Sequence, residues 1–235
     1  MGNLTLSAAS SPARIENPLG RRVQELAFTP LVKEHQQEHG SRSQYERLAE
    51  RAPLGNTLGS DEQAFIALRD SFYMASVSET GWPYVQHRGG PKGFVHVINP
   101  AVIGFADLRG NKQYISLGNL EHDPRVALFF MDYPNQTRLK VLGRVEIQEN
   151  GPEAPALIEY FRPTDKADII ERVILIHVEA FDWNCPQHIT PRYTLEELEE
   201  VFAPVRKKLA SLAAENADLR AQIPQGKNAF ATRNP

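Results

Sequence analysis

The chain has almost no cysteine. Cys185 is alone in 235 residues, so no intramolecular disulfide staples the fold and a reducing compartment is expected. Long apolar runs are also missing: the longest, at 126–131 and 173–176, have the length of strands and fall far short of the roughly 20 residues that cross a bilayer as a helix. No membrane partner is expected. No basic stretch leading into an apolar run stands near Met1, which predicts a cytoplasmic protein. Excess charge is lacking as well. With 26 basic and 29 acidic side chains and a formal net charge of −3, no global positive field draws nucleic acid or acidic lipid. Any anion site must be local.

What is present has enough length for a sizeable core. Residues 1–13 are small, polar and without periodicity, and read as a tail. Between 17 and 51 the pattern is helical: Asn17-Pro18 opens one helix and Thr29-Pro30 a second. A third is expected from Asp61 to about Asp70. The period then changes to that of strands, with segments at 72–78, 83–88, 94–97, 101–107, 126–132, 138–147 and 173–181, rich in β-branched and aromatic residues and separated by Gly, Pro, Asn or Asp. Two helical stretches interrupt them, 112–122 before Asp123-Pro124 and 154–161 before Arg162-Pro163. Seven strands with so few helices between them predict a mainly β fold, an antiparallel barrel or sandwich with flanking helices. From Thr194 the pattern is helical again, with a capping box to Glu197 and apolar positions 195, 198, 202, 205, 209, 212, 219 and 223 in steps of three and four, broken at Asn216. Pro204 is expected to end or kink that helix. The organisation is read as an N-terminal tail and helical extension over 1–60, a barrel domain over 61–193, and a C-terminal helix and tail over 194–235.

Chemistry concentrates in two segments. In 78–93, SETGWPYVQHRGGPKG, a strand ends at Gln86-His87-Arg88 and runs into Gly89-Gly90. Adjacent glycines let a planar or phosphorylated ligand approach the backbone and leave amides free to donate, and Arg88 is a forked donor suited to phosphate. A glycine-rich hairpin with a solvated arginine would read the same way. In 106–124, ADLRGNKQYISLGNLEHDP, a strand ends at Asp107 and a helix opens near Lys112, so Lys112, Ser116 and Asn119 with the helix N-terminus could hold a phosphate. The plain alternative is an ordinary strand-to-helix turn. Arg138, Lys140 and Arg144 share one face of a strand by alternation, where they could equally be a solvated edge.

Taken in order, GxPxxxxRGGPxGF, then F-x-D-x-x-GNK-x-x-x-SLGNLxxDPRVAL-F, then L-x-V-x-GR-x-x-I resemble the motifs of the pyridoxamine 5'-phosphate oxidase-like, FMN-binding split-barrel family, and more narrowly its flavin-nucleotide-binding branch. The likeness spans 72–147, with further matches at 182–193 (DWNCPQHITPRY) and 28–45. It implies a split barrel, FMN as cofactor, and a homodimer with FMN at the subunit interface. It further implies that Val85, Gln86, Arg88 and Gly89 run beside the flavin, that Asn111, Lys112, Ser116 and Asn119 surround its phosphate, and that Arg138 or Lys140 adds polar contacts. Gln187 and His188 would reach the partner's flavin, and His87 is the candidate proton donor. The chain departs from true pyridoxamine phosphate oxidases in lacking their Ser-Arg-Lys run, reading Tyr114-Ile115-Ser116 there, and in having only Trp82 and Trp183 as tryptophans. An FMN-dependent oxidoreductase acting on another small molecule is therefore expected, with a flavin-binding module without turnover as the alternative. No metal site is expected: Cys185 and His188 have a C-x-x-H spacing near His177, but a second cysteine to complete a structural zinc set does not exist.

Overall fold

Apolar residues at alternate positions build the sheet. In the computed structural model, which describes residues 20–162, 170–183 and 187–222, β1 (Ser71–Val77) buries Phe72, Met74 and Ser76 while Tyr73 and Val77 face outward. The other strands are β2 (Pro83–Gly89), β3 (His96–Asn99), β4 (Val102–Leu108), β5 (Arg125–Asp132), β6 (Thr137–Gln148) and β7 (Ile170–Trp183). They form a seven-stranded sheet in the order β2-β1-β5-β6-β7-β4-β3, with every pairing antiparallel. The fold is mainly β with flanking helices, as the strand pattern predicts, and takes the split-barrel form that the family resemblance implies.

Its centre is aromatic. Phe72 lies against Phe130 at 5.0 Å, Phe105 at 5.3 Å and Phe94 at 5.8 Å between ring centroids, and Met74, Ile103, Leu128, Leu139 and Ile176 close around them. Two strand glycines permit this density. A Cβ at Gly143 would stand 2.6 Å from the His177 carbonyl oxygen, and one at Gly104 would stand 2.8 Å from Cζ of Phe161. Close backbone approach is the reason for glycine at both places.

The helices are α1 (Arg21–Ala27), α2 (Pro30–Glu38), α3 (Arg42–Arg51), α4 (Ser60–Ala67), α5 (Ile115–His122), α6 (Ala154–Tyr160) and α7 (Leu195–Gln222). Thr29 caps α2 through its hydroxyl, which accepts from the Val32 amide, and Pro30 takes the first helical position. The helical stretch after Thr29 proves to be two helices, because Gly40 adopts φ +72° and turns the chain between them. Asn17-Pro18 lies outside the described residues. α5 starts three residues later than Lys112, since Lys112 (φ 59°) and Tyr114 (φ 52°) are left-handed and cannot join a right-handed helix. The Thr194–Glu197 capping box forms, each residue's side chain accepting the other's amide. Pro204 does not end α7, which continues through it to Gln222; one lost backbone bond in a helix of 28 residues leaves the rest of the ladder in place. The chain divides into two compact units, one through Pro191 and one from Arg192.

One partly buried histidine makes a pH dependence. His96 on β3 sits against Phe161 at 4.8 Å and Tyr160 at 5.1 Å, and desolvation lowers its pKa from the ordinary 6.5. The folded-state value being below the unfolded one, the unfolded chain binds this proton first. The stability it contributes is present above about pH 6.5 and is lost as pH falls toward the lowered value. His96→Phe is expected to flatten the fall in melting temperature between about pH 7 and about pH 5; an unchanged slope would exclude His96 as its source.

Candidate functional site

β2 is an edge strand, and its alternation decides what reaches the cleft beside it. Phe72 pairs with Arg88, Met74 with Gln86 and Ser76 with Tyr84. Cross-strand partners point to the same side, so Tyr84, Gln86 and Arg88 face inward with the core residues of β1. Val85 and His87, paired with Ala75 and Tyr73, face out. Tyr84, Gln86 and Arg88 form one wall of a cleft completed by Asp107 at the end of β4, the loop through Lys112, the first turn of α5 and Arg172 of β7.

The floor of this cleft is an ion cluster. Arg88 Nη1 donates to Asp107 Oδ1 at 2.6 Å, and Arg172 Nη1 donates to Asp107 Oδ2 at 2.7 Å. The three side chains are 17%, 12% and 5% exposed. Asp107 and Arg172 are direct partners in the β4–β7 register, which puts the bridge at a fixed place on the sheet. One carboxylate holds two guanidiniums, and Arg88 Nε remains buried with no partner. A buried charged donor without a partner at the floor of a cleft is a feature that calls for an acceptor.

The opposite wall offers further donors. Tyr114 occupies the N-cap position of α5 but no side chain caps the helix, so the first turn, whose residues 114–117 line the cleft, brings uncapped amides and the dipole's positive end to it. Ser116 Oγ donates to Gln86 Oε1 at 2.5 Å and joins the two walls. Asn111 accepts the Gln113 amide at 3.1 Å and shapes the loop, while Lys112 extends into solvent at the mouth. Two left-handed non-glycine residues within three positions are costly backbone. Arg172 also lies 5.8 Å from the Tyr114 ring centroid, a contact that helps fix the loop.

A family model described as pyridoxamine 5'-phosphate oxidase matches residues 60–184. The chain belongs to this family. Solved structures similar to this pyridoxamine 5'-phosphate oxidase family member include HupZ of Group A Streptococcus, at 16% identity over 58% of this chain and 99% of that one, with a TM-score of 0.44. An FMN-binding protein of Syntrophomonas wolfei is 12% identical over 63% and 97%, with a TM-score of 0.40. An F420 reductase is 22% identical over 51% and 94%, with a TM-score of 0.38. No curated protein matches.

In this family member, five of the residues expected at the cofactor come together in the cleft: Gln86, Arg88, Asn111, Lys112 and Ser116. The others stand elsewhere. Asn119 is buried and donates to Ser76 Oγ at 3.0 Å, tying α5 to β1. Val85 is exposed on the outer face of β2. His87 does not share the cleft with Arg88, since neighbours on a strand point to opposite sides; its ring meets Tyr73 at 5.5 Å. Arg138, Lys140 and Arg144 share a face as alternation requires, but it is the outer face of a central strand, where Lys140 pairs with Asp182 at 3.4 Å and Arg144 with Glu179 at 2.5 Å. Arg138 lies 5.7 Å from the Phe129 ring centroid with its Nε buried and unpartnered. Gln187 and His188, expected at the partner's flavin, are exposed beyond β7.

Gly89, the last residue of β2, pairs with Ser71 and is not among the residues lining the cleft, and Gly90 has a different role from the one its sequence suggests. The Gly90 amide is taken by the Asp70 carbonyl at 2.9 Å, and a Cβ there would come within 2.6 Å of Phe94. The space serves the core, and the amide is not free. Tyr84, Asp107, Tyr114 and Arg172 are among the cleft residues that sequence reasoning did not single out; F-x-D marked Asp107, but its pairing with Arg172 spans 65 positions. Cys185 lies outside the described residues, and His177 pairs with Glu146 at 2.8 Å. Among the described residues, one group able to supply three metal ligands is His35, Glu38 and His39, exposed together at the C-terminal end of α2. No helix among them is long and apolar enough to cross a membrane.

Proposed function

We propose that this chain is an FMN-binding flavoprotein that holds the cofactor's phosphate end between Arg88 and the N-terminus of α5, and that it is an oxidoreductase acting on a small molecule other than pyridoxamine phosphate. The observation that carries the reading is the unpartnered Arg88 Nε in a cleft whose opposite wall is an uncapped helix N-terminus. Both features suit an oxyanion, and phosphate accepts from an arginine fork and from helix amides together. Bound FMN would supply the redox chemistry, accepting or giving electrons. Arg88, Lys112, Ser116 and Gln86 would bind and orient it, and Asp107 would hold Arg88 in place.

The same reading requires a second copy. The cleft of one chain encloses about 70 Å³, against the roughly 300–1,000 Å³ of pockets that enclose a ligand of this class. A single chain provides one part of the cradle. The outer face of the sheet suits a homodimer: the row Val85, Ala75, Ala127, Leu142 runs across β2, β1, β5 and β6 in register, apolar where an antiparallel sheet facing water would be polar. Tyr73, Val77 and Trp82 are exposed on the same strands or the turn between them. On this reading the partner's Arg138, with its orphaned Nε on that outer face, is the first candidate for a contact across the interface.

Arg88→Ala is expected to weaken FMN binding by about 1.5–3 kcal/mol, a roughly 10- to 150-fold rise in Kd, measured by quenching of flavin fluorescence. Equal affinity would remove Arg88 from the site. A flavin-binding module without turnover is the second reading, favoured by the absence of any histidine from the cleft lining among the described residues. Oxidation of reduced nicotinamide with a panel of quinone and nitro acceptors separates the two: full flavin loading with no turnover supports the module.

A further inference from the structure

α7 carries a pattern that its own unit does not use. From Leu195 the apolar residues keep one heptad register: Leu195, Phe202 and Leu209 at a, and Leu198, Val205, Leu212 and Leu219 at d. Asn216 occupies the next a position. Leu195, Phe202, Val205, Leu209, Leu212 and Leu219 are between 45% and 82% exposed, a continuous apolar stripe along one face of a 28-residue helix. A stripe of this size is an interaction surface.

Three features say which partner fits it. The regular spacing of three and four is that of a two-helix seam, since a helix buried against a sheet carries a wider apolar arc. Asn216 at position a is isolated among apolar neighbours along the seam. In a parallel, in-register pair it meets the same asparagine, whose amide can both donate and accept. In an antiparallel pair it would face an apolar d residue, Leu198 or Val205, and lose its partner. Charge agrees with the parallel arrangement: Glu215 at g and Arg220 at the following e stand in the relation that forms interhelical ion pairs in parallel coils. Pro204 falls at c, outside the seam.

We infer that α7 forms a parallel two-stranded coiled coil with α7 of a second copy of this chain. The occupant of the stripe is thus the same stripe, aligned by Asn216.

Cysteine cross-linking of the full-length protein tests this, in a Cys185→Ser background. Leu212→Cys places one sulfur at d, where two copies oppose each other only in the parallel register. Ala214→Cys, on the outer face, is the control, and helix content by circular dichroism together with FMN loading verifies that both variants are folded. Under a glutathione redox buffer, Leu212→Cys is expected to form covalent dimers at least about 10-fold faster than Ala214→Cys, because the seam raises the effective thiol concentration. Equal rates would overturn the proposal. So would dimers that form only when Phe202→Cys chains are mixed with Leu212→Cys chains, which denotes the antiparallel register. Neither outcome bears on flavin binding, which is read separately.

Discussion

Asp107→Ala is expected to destabilise the protein by about 3–5 kcal/mol, the usual cost of removing one partner from a buried ion cluster, and to lower the melting temperature by roughly 6–20 °C for a unit of this size. Asp107 is the only carboxylate that contacts both Arg88 and Arg172 among the described residues. Without it two guanidiniums face each other in a largely desolvated space, Arg172 keeping Glu149 at 3.5 Å and Glu171 at 3.4 Å while Arg88 keeps none. The cluster is less than a fifth exposed at each member, so solvent screens the repulsion poorly. Asp107→Asn retains an acceptor and should lose less. Urea unfolding followed by circular dichroism measures both. A loss below about 1 kcal/mol for the alanine variant would place the cluster in the class of solvated surface pairs. Flavin affinity should fall in the same variant, since Arg88 then has nothing to aim it.

Phe72→Ala should cost a comparable amount, about 3–5 kcal/mol, for a different reason. Phe72 is 1% exposed and touches three aromatic rings contributed by β4, β5 and the segment after β2. Its removal leaves a cavity bounded by groups from separate strands, which cannot close it without shifting the sheet. Phe72→Leu keeps most of the volume and is expected to lose less than half as much. If both variants unfold at the same urea concentration as the parent, the aromatic cluster is not the core of the barrel.

The strands were legible because their pattern is local. Alternation over seven short segments, with Gly, Pro, Asn and Asp between them, needs no tertiary information, and all seven form. The helix boundaries that differ do so through backbone conformation: Gly40, Lys112 and Tyr114 take left-handed φ values, and for Lys112 and Tyr114 residue type gives no warning. The cleft was half legible. Arg88 and Ser116 stand out in sequence as donors near glycines and a helix start, whereas the Asp107–Arg172 bridge exists only once β4 lies beside β7. Gly90 shows the limit of motif reading, since the same missing Cβ that could admit a ligand admits Phe94. Facing direction was readable and decisive: the period of two that puts Gln86 and Arg88 in the cleft puts His87 outside it.

The measurement that bears most directly on the central claim is the flavin itself. Protein purified from a flavin-replete host should be yellow, and heat denaturation should release FMN, identified by chromatography against FAD and riboflavin standards, in amounts approaching equimolar with the chain and reduced in Arg88→Ala. A colourless protein that fails to quench the fluorescence of added FMN would contradict the account.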